Sequence, residues 1–134
     1  MRIDRFQEFA LAAYRDAPEI TAAEPWSDGT TRPAGIQLQV GGKTVRHALT
    51  MVTPQGEDLG APEQPVEGEP PAPVEPRPAP AGVRDRQTAE YLAAVLAGTG
   101  SPEIARVYAY DEKSMHPGLG VEFHSGRKIH MLLT

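Results

Sequence analysis

Gly35-Ile36-Gln37-Leu38-Gln39-Val40-Gly41-Gly42-Lys43-Thr44-Val45-Arg46 decides the fold. Apolar and polar residues alternate on either side of a Gly-Gly pair, the pattern of two half-buried strands joined by a two-residue turn. Glycine is suited to both turn positions because each needs a positive φ. The turn sets Leu38 opposite Val45 on the buried face and Gln39 opposite Thr44 on the polar face.

A second hairpin lies at Gly120-Val121-Glu122-Phe123-His124-Ser125-Gly126-Arg127-Lys128-Ile129-His130. A two-residue turn at Ser125-Gly126 would set Phe123 against Lys128 and mix the faces. A three-residue loop, Ser125-Gly126-Arg127, sets Phe123 opposite Ile129 and Val121 opposite Met131, and this is the register expected. Glu122, His124, Lys128 and His130 then share the polar face, with Glu122 and His130 as cross-strand neighbours.

The likeness between the hairpins extends outward in both directions. Pro18-Glu19-Ile20 recurs as Pro102-Glu103-Ile104, and Pro33 as Pro117. Trp26 falls on Tyr110, Asp28 on Glu112, Thr30 on Ser114 and Arg32 on His116. Gly35 falls on Gly120, and Leu49-Thr50 on Leu133-Thr134. Asp4-Arg5 and Leu11-Ala12-Ala13 recur as Asp85-Arg86 and Leu92-Ala93-Ala94. An ordered series of this kind reads as a tandem duplication of one unit, helix then three strands.

The helix of the first unit carries Ile3, Phe6, Ala10 and Ala13 at helical spacing with Phe9 beside them, capped by Asp4 with Gln7 reaching back. That of the second carries Ala89, Leu92, Ala93 and Leu96, with Asp85 as N-cap and Gly98 as stop. A strand follows each Pro-Glu-Ile. Residues 103–110 alternate well, whereas residues 19–26 contain Pro25, which cannot donate to a ladder and marks an edge strand or a broken one. A polar loop ending in Arg32-Pro33 or His116-Pro117 then leads to the hairpin.

Each unit has about 50 residues, a size that buries only ~60% of its unfolded surface and is marginal alone. Two units sharing one core are therefore expected. The predicted fold is α+β: a mostly antiparallel sheet of about six strands with both helices on one face. Its parts are residues 1–53, a disordered linker over 54–82, and residues 83–134. The linker holds nine of the chain's 14 prolines and almost no large apolar residue, so it is not expected to pack. Within it, Pro70-Pro71-Ala72-Pro73-Val74-Glu75-Pro76 fits the PxxP pattern read by aromatic-lined grooves, although a stiff solvated spacer is the expected reading.

The net charge of −5 sits in the linker. Residues 54–82 carry six acidic side chains and Arg77, while each flanking unit carries six basic and six acidic residues. Binding of nucleic acid through bulk charge is thus disfavoured. The absence of cysteine excludes disulfides and thiolate metal sites and fits a reducing compartment. Arg2, Asp4, Arg5 and Glu8 stand where the apolar part of a signal peptide would be, and no apolar run nears the ~18 residues of a membrane span. The expectation is a cytoplasmic protein off the membrane. Ten arginines against three lysines, with abundant Ala, Gly and Pro, suggest a GC-rich bacterial genome.

No motif for a nucleophile, a phosphate loop or a zinc protease occurs. The expected function is non-enzymatic binding of a protein partner through a sheet face or edge, by a monomer or a domain-swapped homodimer, with no cofactor and no metal. The helix-then-three-strands order resembles that of small secretion chaperones and some immunity proteins at the level of fold. The candidate binding residues are Glu122, His124, Arg127, Lys128, His130, Trp26 and Tyr110. The first alternative is single-stranded nucleic acid, bound by Arg127 and Lys128 with stacking on Trp26, Tyr108 and Tyr110. The second is a small enzyme, using either a metal at Glu122, His124 and His130 or His47 as a base. His47 interrupts the inward apolar row of Ile36, Leu38, Val45 and Leu49, where a hydrogen-bonded core histidine is the expected reading.

Overall fold

The computed structural model describes residues 1–27, 34–54, 56, 60–75, 85–111 and 113–133, and of Asp85 only the backbone. Its elements are α1 (Ile3–Arg15), β1 (Ile20–Trp26), β2 (Gly35–Val40), β3 (Lys43–Val52), α2 (Asp85–Ala97), β4 (Ile104–Ala109), β5 (Gly118–Phe123) and β6 (Lys128–Leu133). The loop expected to end in Arg32-Pro33, the equivalences of Asp28, Thr30, Arg32, Glu112 and Thr134, and linker residues 76–82 lie outside the described residues.

The strands form one antiparallel sheet in the order β1-β2-β3-β6-β5-β4. Its two ends are β1, which carries Pro25, and β4. The missing N–H of Pro25 therefore lies in an edge strand, the place a sheet accepts it. The halves join through β3, whose first part pairs with β2 and whose last part pairs with β6. Near one end of this seam Ala48 stands opposite Leu132.

Alternate residues of the four inner strands point to the helices and form one hydrophobic cluster with them. It contains Phe6, Ala10, Leu11 and Tyr14 of α1, Leu92 and Leu96 of α2, and Ile36, Leu38, Val45, Leu49, Leu119, Val121, Ile129 and Met131 of the sheet. Both helices thus cover the same face. Polar contacts also cross between the halves. The Glu19 N–H donates to the Tyr91 hydroxyl at 3.3 Å, and Arg5 on α1 pairs with Glu103 at the start of β4.

The first hairpin has the expected register, with Leu38 opposite Val45 and Gln39 opposite Thr44 around Gly41 (φ 56°) and Gly42 (φ 85°). The second differs by two residues. Its loop is His124-Ser125-Gly126, closed by Phe123 N–H to Arg127 O at 2.9 Å. Val121 pairs with Ile129 and Leu119 with Met131. The inward face is the same in either register, because a two-residue slip keeps the alternation, so apolar pattern alone could not choose. The choice moves the equivalence of the strands. Gly118, not Gly120, occupies the place of Gly35: a Cβ on Gly35 would meet His47 O and the Trp26 ring, and one on Gly118 would meet Met131 O and the Tyr110 ring.

Two further expectations change. Asp4 does not cap α1. Arg2 occupies the N-cap without a side-chain capping bond, Asp4 lies within the first turn, and Gln7 instead donates to Gly35 O at 2.7 Å. Linker residues 60–75, expected not to pack, run against the fold. Glu63 accepts from the Arg2 N–H and from Arg5 Nε (2.7 Å), and the Gly68 N–H donates to Pro102 O at 2.7 Å. Charged side chains and backbone amides hold the segment, which its lack of apolar residues could not reveal.

Candidate functional site

The open face of the sheet, opposite the helices, carries the polar side chains of the alternation together with several small residues. One row runs from Trp26 on β1 through Gly35, Ala48, Leu132 and Gly118 to Tyr110, just past the end of β4. The Trp26 ring lies over Gly35 and the Tyr110 ring over Gly118, each within contact of where a Cβ would stand. Tyr108 lies over Gly120 in the same way. A glycine in a strand weakens it, and an aromatic ring from the neighbouring strand restores the lost cover. All three rings are half-buried rather than part of the core.

Arginines rest on two of these rings. The Arg46 guanidinium is 5.4 Å from the centre of Trp26, and that of Arg106 is 4.4 Å from the centre of Tyr108. Arg46 Nε also donates to Gln37 Oε1 at 3.0 Å, and Gln39 Nε2 to Thr44 Oγ1 at 2.8 Å, so the polar part of the first half is internally bonded. In the second half Glu122 is flanked by Arg106 (3.7 Å) and Lys128 (3.8 Å). Tyr110 sits 6.1 Å from Tyr108, centre to centre, and its hydroxyl bonds His130 Nδ1 at 3.0 Å. Burial, with Tyr108 beside it, pushes the Tyr110 hydroxyl up from its ordinary value, so it remains a phenol at neutral pH.

Five of the seven candidate residues therefore share the open face: Trp26, Tyr110, Glu122, Lys128 and His130. The other two do not. His124 lies in the turn, where its Nε2 bonds Glu69 O at 2.8 Å and its ring packs on Gly68. Arg127 is 2% exposed, with its guanidinium against Met51 Sδ. The two-residue difference in register explains both, since it draws Arg127 to the inward side of the ladder and His124 out of it. Glu122 faces Lys128 rather than His130, which faces Gly120. No group of three or more His, Asp or Glu suited to a metal occurs among the described residues.

His47 projects from β3 and is fully enclosed between the sheet and α1. Its Nε2 bonds the Tyr14 hydroxyl at 3.2 Å and the two rings stack at 5.8 Å, while Nδ1 has no hydrogen-bond partner. Burial lowers its pKa to about 4; the nearby backbone of Met131 and Leu132 opposes that shift but stands outside bonding geometry at Nδ1. No substrate reaches a base in this position. In the second half the equivalent place on β6 is Met131, an apolar residue.

Arg46, Arg106 and the three glycines were missed as site residues, and Tyr108 was named only for stacking in the nucleic-acid alternative. A signal was present for the glycines: Gly118 and Gly120 alternate with apolar residues in a strand, where glycine is disfavoured unless something covers it.

No described helix is long and apolar enough to cross a membrane. Comparison of the chain with protein-family models, with curated proteins and with solved structures finds no match.

Proposed function

We propose that the chain is a non-enzymatic protein that binds another protein on the open face of its sheet. The observation that carries this reading is the row from Trp26 to Tyr110: half-buried aromatic rings packed over glycines at both ends, with Leu132 between them. Rings held in place by the strands beneath them offer apolar area at little entropic cost. Arg46 and Arg106 supply polar rims, and aromatic residues with arginine are the types enriched in interface centres. We also infer that the halves arose by duplication of one helix-and-three-strand unit. The palindromic strand order and the matched pairs Gly35–Trp26 and Gly118–Tyr110 support it.

The test uses the chain's single tryptophan. A genuine partner, captured with the wild-type chain, should alter Trp26 fluorescence and should bind at least ten-fold more weakly to Trp26→Ala and Tyr110→Ala variants. A partner bound equally well by both variants would remove the open face from the reading. Single-stranded nucleic acid is the alternative outcome: a gel shift at low salt, weakening steeply as salt rises, would replace the protein-binding reading. The burial of Arg127 and the pairing of Arg106 and Lys128 with Glu122 weigh against it.

A further inference from the structure

We propose that the groove between α2 and the edge strand β4 is a binding site for proline-rich peptide segments. The chain's own proline-rich segment enters it at Val74. This is a second site, separate from the open face.

The occupant is visible. The Gly68 N–H donates to Pro102 O at 2.7 Å just before β4, and Glu69 O is held by His124 Nε2 at 2.8 Å. Six residues further on, Val74 lies at a groove shared with Val107, Tyr108 and Ala109 of β4 and with α2. Gly68 bonded to Pro102 and Val74 at the groove lined by Val107 and Ala109 mean that the segment runs alongside β4 in the same direction. Pro70, Pro71 and Pro73 have no N–H to offer, so the segment cannot add to the sheet as a strand. Like a polyproline II segment, it meets the groove through a side chain, that of Val74.

The fit is incomplete, and this argues for exchange. Val74 remains 57% exposed, although the groove beneath it, with a volume of about 320 Å³, is lined by Ala93, Ala94, Ala97, Val107 and Ala109. Small residues on α2 leave space that valine does not fill. The preferred ligand is thus a proline-rich segment with a longer apolar side chain, such as leucine, where the chain has Val74. The tethered segment competes through its high local concentration rather than through its contacts.

The test is a titration of labelled peptides into the full chain, followed by fluorescence anisotropy. One peptide reproduces residues 66–75; a second carries leucine for Val74, and a third aspartate. A Val74→Asp full chain, whose own segment fits poorly, should bind the first peptide at least ten-fold more tightly than the wild-type chain does. The leucine peptide should bind several-fold more tightly again, and the aspartate peptide should not bind. Val74 is a surface residue, so the variant should keep the wild-type circular dichroism and Trp26 emission. Equal affinity of the two chains, no binding to either, or equal binding of all three peptides would overturn the proposal.

Discussion

The ring of Phe6 on α1 meets the ring of Phe123 on β5 edge-on, with centres 5.8 Å apart and planes at 82°. The first helix is therefore wedged into the second half of the sheet, and neither half has a core of its own. Phe6→Ala should cost about 3–5 kcal/mol. Unfolding should remain one transition, with Trp26 emission from the first half and the far-ultraviolet signal of the whole chain changing together. Two separated transitions would show the halves to be independent.

Gly118→Ala should destabilise more than Gly120→Ala. At Gly118 the new methyl would stand 2.7 Å from Met131 O, a backbone atom that cannot move without disturbing the ladder, and 2.8 Å from the Tyr110 ring. A loss of about 2 kcal/mol is expected. At Gly120 the obstacle is the outer end of the Tyr108 side chain, which can swing away. Urea denaturation of the two variants gives the order.

Stability should fall between about pH 6.5 and pH 4 because of His47. Burial holds its folded pKa at about 4 against 6.5 for a free ring, so the unfolded chain binds more protons in that window. The neutral ring's contribution is complete above 6.5 and is lost as pH falls through the folded value; the gap corresponds to roughly 3 kcal/mol. The double change Tyr14→Leu with His47→Met should flatten this part of the profile while staying within about 1 kcal/mol of wild type at pH 7. Replacing both partners removes the pair without leaving one orphaned.

Arg5→Ala should loosen the linker more than it destabilises the fold. Arg5 joins α1 to Glu63 (2.7 Å) and to Glu103, but its side chain is 39% exposed, so solvent screening keeps the loss below about 1 kcal/mol. Raised salt should erase most of it. Proteolysis within residues 54–75 should accelerate by a larger factor than the change in global stability explains.

Pro25 marked its strand as an edge strand or a broken one, and period-two alternation made the two hairpins legible in the sequence. It did not fix the second register, because slips of two residues preserve the alternation. That single ambiguity displaced Arg127 and His124, two of the seven expected site residues, and changed the partner of Glu122. Trp26 and Tyr110 were named as aromatics available for stacking, and the structure places both on the outer face. The arginines resting on Trp26 and Tyr108 were missed, since which ring a long side chain covers depends on cross-strand neighbours. The linker's contacts were hidden for a different reason: Glu63 and Gly68 are held by polar groups distant in sequence.

The seam between β3 and β6 also sets the order in which the chain can fold. Its partners, from His47–Leu133 to Val52–Lys128, lie between 86 and 76 residues apart along the chain. Each hairpin closes locally within microseconds, whereas the seam requires a long loop to close first. It is thus the late, slow step. Until it is made, the second half of β3 and the outer side of β6 are unpaired edges that a second molecule can capture, so refolding at high concentration should yield exchanged dimers and at low concentration monomers.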